Sequence, residues 1–423
     1  PTERRDRLFL ASAGPKFRPA SQPSSGKYIG SGWPPVARVD ASQKSPLLCR
    51  DWPRERPREG RVAMSILPDA ETFRQLANGS LTGVGPTLLR GMLAAVAVPY
   101  AAAAATRNHL YDGGLLRQST AAVPVISIGN LTLGGTGKTP LVAWVARQLA
   151  AQGLRPAVVS RGYGARPADT SDEAAELAIV LPGVPHVANR DRVAAAERAA
   201  GLGANVVVLD DGFQHRRLRR DLDVVAIDAT DPFGCERLVP RGLLRESLGG
   251  LARADAVVLT RADRIDADRR REILRSVTRA RHGHPPAAWV ETMHAAVAVR
   301  TAAGTVTPLE SLAGRRVAAF CGIGNPAAFR QTLTGIGVDL VGFRSFADHH
   351  PYSPDDVESL TSWAAALQVE QMVTTLKDLV RLQMVQLGDL PLAAVEIALR
   401  PMSDPKLLEA LVAAVAARVG QSP

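Results

Sequence analysis

The stretch VPVISIGNLTLGGTGKTPLVAWVARQLAAQG, residues 123–153, constrains the fold more than any other part of the chain. VPVISIG reads as a buried strand, and KTPLVAWVARQLAAQG reads as an amphipathic helix ending at Gly153. Between them lies a glycine-rich turn in the place a phosphate loop must occupy. Gly134, Gly135 and Gly137, with Thr136 among them, let backbone N–H groups converge on phosphate oxygens without Cβ clashes. Lys138 reaches β- and γ-phosphates, and the Thr139 hydroxyl suits Mg2+. The pattern G-x-x-x-x-G-K-[ST] fails by one letter, because Thr132 stands five residues before Gly137. A plain glycine turn has no need of Lys-Thr at the helix start, so a nucleotide phosphate site is expected.

The texture around this unit repeats. RPAVVS, NVVVLDDG, LDVVAID and ADAVVLT are short apolar strands separated by helical stretches. That alternation predicts an α/β fold, a P-loop NTPase core with a mostly parallel sheet covered on both faces, over 121–290. After the polar RARHGHPP the alternation restarts, which predicts a second, smaller α/β domain over 291–423. Ahead of the core, residues 64–120 hold sixteen uncharged positions between Arg90 and Arg107, interrupted by Pro99. A spanning helix needs about 20 strongly apolar residues, so the residues over 88–106 are read either as a helix lying in a membrane interface or as an ordinary helix packed on the core.

Charge bears on partners. The formal net charge is +10, but residues 1–63 carry 13 Lys+Arg against 6 Asp+Glu together with nine prolines. Most of the excess therefore sits in a segment without helical or strand period, read as a disordered basic extension ahead of a start at Met64. The balanced remainder argues against a nucleic-acid partner. Cys49, Cys235 and Cys321 are far apart with no C-x-x-C, which argues against a disulfide framework or a structural zinc site and fits a reducing compartment.

Several stretches carry chemistry. NVVVLDDGFQH ends an apolar strand in Asp210 and Asp211, the form of a Walker-B element that holds Mg2+, and His215 follows on the next turn. VVSRGYG puts Arg161 and Tyr163 at a strand end, where open α/β sheets bind ligands. Arginine suits an anionic group and tyrosine a sugar face. LVPRGLLRESL offers Arg245 and Glu246, while SFADHHPYSPDDV offers Asp348, His349 and His350, an Asp–His neighbour pair suited to tuning a general base. VVLTRAD approaches the guanine-reading [NT]-K-x-D pattern, with Arg261 in place of lysine and Asp263 as the acid. The alternative of a membrane-associated GTPase switch rests on it. A non-catalytic docking protein is a third class, against which the intact Lys138 and acid pair argue.

SIGNLTLGGTGKTPLV, VVSRGYG, LDDGFQHRRLRRDLDVVAID, LVPRGLLRESL, FCGIGNPAAF and FADHH together resemble the tetraacyldisaccharide 4'-kinase (lipid A 4'-kinase) family, in that family's order over residues 90–380. The loop with Thr132 is itself typical of that family. The resemblance implies a two-domain α/β enzyme with a membrane-facing N-terminal helix. It implies transfer of the γ-phosphoryl of ATP, with Mg2+, to the 4'-hydroxyl of an acylated glucosamine disaccharide 1-phosphate, giving lipid IVA. The partners it implies are that lipid and the inner membrane, on whose cytoplasmic face the enzyme sits peripherally. The family pairs an aspartate of a GDEP stretch with a histidine of an F-x-D-H stretch. Phe346, Asp348 and His349 match the second; Asp172 and Glu173 match the first within SDEA, without its glycine and proline. The implied catalytic set is thus Asp172, His349, Asp348 and Lys138, with Asp172 as base supported by His349. Arg161, Tyr163, Arg192, His215 and Arg245 are expected on the substrate, and Thr139, Asp210, Asp211 and Glu246 at the metal.

Overall fold

Five-residue, mostly aliphatic runs, buried at every position, form the central strands, as VISIG and VVVLD illustrate. Burial on both faces is what a parallel sheet flanked by helices demands. The computed structural model describes residues 70–162 and 172–419. The expected extension over 1–63, Met64 and Tyr163 lie outside the described residues. In chain order the elements are α1 (Ala70–Asn78), α2 (Val84–Asp112), β1 (Val125–Gly129), α3 (Lys138–Ala151), β2 (Pro156–Ser160), α4 (Asp172–Val180), β3 (His186–Ala188), α5 (Arg192–Gly201), β4 (Val206–Asp210) and β5 (Leu222–Asp228). There follow β6 (Ala256–Thr260), α6 (Ala267–Ala280), β7 (Ala288–Thr301), β8 (Val306–Thr307), β9 (Arg316–Cys321), α7 (Pro326–Ile336) and β10 (Asp339–Ser345). The last are α8 (Pro354–Ala366), β11 (Gln371–Thr375), α9 (Leu376–Leu382), β12 (Gln386–Leu387), β13 (Leu390–Pro401) and α10 (Lys406–Ala416).

One sheet runs in the order β10-β9-β11-β13-β7-β6-β5-β1-β4-β2-β3, with β8 and β12 as short antiparallel additions. Strands β1 to β6 pair in parallel, and β9, β10, β11 and β13 form a second parallel set. The sets meet in β7. Its start pairs in parallel with β6, from Ala256↔Ala288 to Leu259↔Glu291, and the rest pairs antiparallel with β13, from Pro401↔Thr292 to Ala393↔Thr301. The second set therefore points its carboxyl ends back toward the middle of β7, where the first set also ends. Ligands of open α/β sheets bind outside the carboxyl ends of strands, and this register turns two such ends toward each other. Residue 290, the expected domain boundary, lies within β7.

The core follows the same continuity. Leu141, Val145 and Leu149 of α3 share one buried cluster with Ile126 and Val208 of the first set and with Phe320 and Leu392 of the second. Helix starts are capped by short polar side chains: Asp191 accepts from Val193 and Ala194 N–H, and Ser353 and Asp356 form a reciprocal capping box.

Helix α2 differs from the expected short segment. It has 29 residues, continues past Pro99, and buries none of them. Proline in a helix interior costs about 3 kcal/mol, yet the alanine run over 101–105 has the best intrinsic propensity for sustaining the helix beyond it. By length and composition α2 is long and apolar enough to cross a membrane, and Val84, Leu88, Met92, Val96 and Val98 are exposed along it.

Candidate active site

The phosphate loop connects Gly129, the end of β1, to Lys138, the first residue of α3. Gly134 and Gly137 take φ of 108° and 76°, which side chains with a Cβ rarely adopt. A Cβ on Gly137 would stand 2.3 Å from His294 Cε1, so β7 itself bars a side chain there. The loop is tied down from several sides. Asn130 Nδ2 donates to the Thr132 carbonyl at 2.8 Å and to Thr136 Oγ1 at 3.0 Å, and Thr260 Oγ1 donates to the Thr136 carbonyl at 2.8 Å. Thr132, the letter out of pattern, forms an isolated β-bridge with Leu244, which joins the loop entry to the segment carrying Arg245. Arg261 donates to the Gly135 carbonyl at 3.1 Å and ion-pairs with Asp228, while Asp263 pairs with Arg264 at 3.1 Å. The VVLTRAD stretch thus buttresses the phosphate loop.

Beside the loop stands the acid pair. Lys138 Nζ lies 3.5 Å from Asp211 Oδ1, and Arg245 Nη1 donates to both Asp211 oxygens at 2.9 Å. Burial opposes the Asp211 charge, but Lys138 and Arg245 outweigh it and hold the carboxyl below its ordinary value. Asp210 is the opposite case. Its Oδ1 is buried with no hydrogen-bond partner, and burial lifts its pKa to about 6 despite Lys138. Glu246, only 1% exposed, has both oxygens engaged: Arg253 Nη2 donates to them at 2.9 and 2.8 Å, Gln214 Nε2 at 3.0 Å and Asn108 Nδ2 at 2.8 Å. Its carboxylate is committed to protein donors and meets the acid pair through Gln214 and Arg245.

Cationic and neutral partners gather on the same side. Arg192, at the start of α5, is buried and within electrostatic reach of Arg161, Asp210 and Asp211. Burial, reinforced by Arg192 and Arg220, pushes His215 down to about 4, which leaves a neutral ring at pH 7 whose Nε2 has no partner among the described residues.

The third group joins segments far apart in sequence. His349 Nδ1 lies 3.0 Å from Asp172 Oδ2 across 177 positions. Arg381 of α9 donates to the same Asp172 oxygen at 2.7 Å, and to Asp378 Oδ1 and the Gly322 carbonyl at 3.1 Å. Burial opposes ionisation of Asp172, but its bonds with Arg381 and His349 prevail and keep its pKa below the usual value. Asp348 stands 3.9 Å from His349 Nε2, while His350 turns away to Asp356 at 3.0 Å. Glu173, next to Asp172, adds to the upward push on Asp210, so this third group and the acid pair lie within electrostatic reach. The sequence motifs did not flag Arg381, Arg253, Gln214, Asn108 or Tyr100. Only Arg381 had a readable signal, as Asp378 and Arg381 share one face of the helix that Thr375 caps.

A family model described as Tetraacyldisaccharide-1-P 4'-kinase matches residues 89–416. A Tetraacyldisaccharide 4'-kinase of Anaeromyxobacter dehalogenans is 45% identical over 302 residues, 67% of this chain and 79% of that one. The protein of the same name from Geobacter metallireducens is 40% identical over 345 residues, 77% of this chain and 98% of that one. Among solved structures, the "apo" form LpxK from Aquifex aeolicus in complex with ATP aligns with a TM-score of 0.62 at 30% identity, covering 77% of this chain and 99% of that one.

Proposed function

The chain belongs to the tetraacyldisaccharide-1-P 4'-kinase family, and from that premise we propose how its residues carry out the reaction. ATP is the phosphoryl donor, and the 4'-hydroxyl of a tetraacylated glucosamine disaccharide 1-phosphate is the acceptor. The backbone N–H groups from Gly134 to Thr139 cradle the phosphates, and Lys138 leaves Asp211 to meet the γ-phosphate. Asp172 takes the acceptor proton as the hydroxyl oxygen bonds to the γ-phosphorus and the bridging bond to ADP breaks. His349, with Asp348 3.9 Å from its Nε2, orients Asp172 through the contact between its Nδ1 and Asp172 Oδ2. Arg161, Arg192, His215 and Arg245 supply donors to the anionic parts of donor and acceptor, with Tyr163 proposed for the sugar.

Mg2+ fits the residues present. The unpartnered buried oxygen of Asp210 is a carboxylate awaiting a cation; Asp211 follows it in sequence, and Lys138, the neighbour of Thr139, lies 3.5 Å from Asp211. Among the described residues no three His, Cys, Asp or Glu side chains cluster as a metal cage. That suits an ion held by one or two carboxylates and the nucleotide's own phosphates. Bound there, Mg2+ supplies charge neutralisation for the transferring phosphoryl group. Glu246 supports the site by holding Gln214 and Arg253.

The observation that carries the reading is the Asp172–His349 contact, whose neighbour Glu173 lies within electrostatic reach of Asp210. A nucleotide switch transfers its phosphoryl group to water and needs no second organic acceptor, and Arg261 and Asp263 are engaged in the protein's own contacts. The exposed apolar face of α2 supports docking on a bilayer, which we assign to the cytoplasmic face of the inner membrane because the donor is ATP.

The test uses the full chain in detergent with Mg2+, γ-labelled ATP and the disaccharide 1-phosphate lipid. Label should reach the lipid, and Lys138→Ala should lower the rate by roughly 10²–10³-fold, as for removal of one preorganised charge donor. Slow hydrolysis favouring GTP, with no labelled lipid, would replace this reading with the switch.

A further inference from the structure

Helix α2 presents its apolar side chains to solvent, yet it is joined to the active site by polar contacts. Tyr100 Oη donates to the Arg245 carbonyl at 2.7 Å, across 145 positions. Two turns further along, Asn108 Nδ2 donates to Glu246 Oε2 at 2.8 Å, across 138 positions. Arg216 completes the joint: it donates to the Asn108 carbonyl at 2.9 Å, pairs with Asp112 at 2.7 Å and lies over the Tyr111 ring. The two residues gripped by α2 are consecutive, and both lead inward. Arg245 holds both oxygens of Asp211. Glu246 accepts from Gln214, whose Nε2 also reaches the Asn130 carbonyl at the entry of the phosphate loop.

We propose that Asn108 and Tyr100 are positioning residues, through which the seating of helix α2 fixes the Arg245–Glu246 turn and thereby Asp211. The physical ground is the burial of Glu246. A buried carboxylate tolerates no lost donor without rearranging, and Asn108 is the one donor to it that comes from α2. A helix whose other side chains meet lipid is thus a lever on the acid that faces Lys138. Phosphoryl transfer is mostly positioning and charge neutralisation, so a small displacement of that turn reaches the rate. The inference rests on the kinase reading above.

The experiment is a double-mutant cycle on the full chain with dispersed lipid acceptor, combining Asn108→Ala with Glu246→Asp, which keeps the charge and shortens its reach. Rate at saturating substrates, the Mg2+ concentration giving half the maximal rate, and thermal melting are measured for each. If Asn108 acts through Glu246, Asn108→Ala lowers kcat about tenfold and raises the Mg2+ requirement, but adds less than about twofold to Glu246→Asp, the non-additivity of a coupled pair. Tyr100→Phe shifts the same two quantities in the same direction. Losses that multiply, or an Asn108→Ala protein that melts lower but keeps its kcat and Mg2+ requirement, would overturn the proposal and leave the kinase reading intact. An unmutated chain that labels no lipid would overturn both.

Discussion

Asp172, the proposed base, is held by a cation. Arg381 and His349 both reach its Oδ2, and burial, which alone would raise its pKa, loses to them. Lys377 and Glu173 pair at 3.8 Å alongside. A carboxylate with a lowered pKa stays deprotonated to lower pH and is a weaker base once there. Arg381→Gln removes the larger favourable partner and leaves the burial, so the pKa of Asp172 rises. The acid limb of kcat/KM should therefore move to higher pH, with the ATP KM little altered. An acid limb that stays in place while kcat falls would assign Arg381 to folding alone. Where Asp172 stands was not legible from its surroundings in sequence, because SDEA lacks the flanking residues that mark the family stretch. Its contact with His349 is non-local and appears only when α4 and the turn after β10 meet.

At the scale of elements, α2 is the test of how a helix can be both apolar and unburied. Leu88 and Met92 are spaced as neighbours on one face, and both are well exposed. Leu88→Glu with Met92→Glu should reduce recovery with anionic phospholipid vesicles by roughly tenfold or more, given about 1.5–3 kcal/mol for each large apolar side chain removed from water. Recovery equal to that of the unmutated chain would locate the membrane contact elsewhere. The parallel strands and the phosphate loop were readable beforehand because period, glycine placement and Lys-Thr all agree locally. The continuity of α2 through Pro99 was not, because a local rule about proline weighs one lost bond and not the turns on either side. The commitment of Glu246 to Arg253, Gln214 and Asn108 was equally hidden, since it depends on the return of a helix more than a hundred residues away.

For the whole molecule, the phosphate loop follows a strand of the first parallel set and His349 follows a strand of the second. We propose that the sets approach on binding both substrates, with β7 as the shared member. Spin labels at exposed Leu202 and Val385, with Cys49 and Cys235 replaced, would report it. The distance should shorten with a non-hydrolysable ATP analogue, Mg2+ and lipid; one distance in all states would argue for a rigid site. Strand β7 also has a bearing on how the chain is made. It emerges from the ribosome after the first set and before the second, with β6 on one side already waiting and β13 on the other still about a hundred residues away. Until β13 arrives, the hydrogen-bonding edge of β7 is open, and an open edge is a template for a neighbouring nascent chain. Shutting that edge is the work of β13, so β7 is protected only once a strand made much later has been laid beside it.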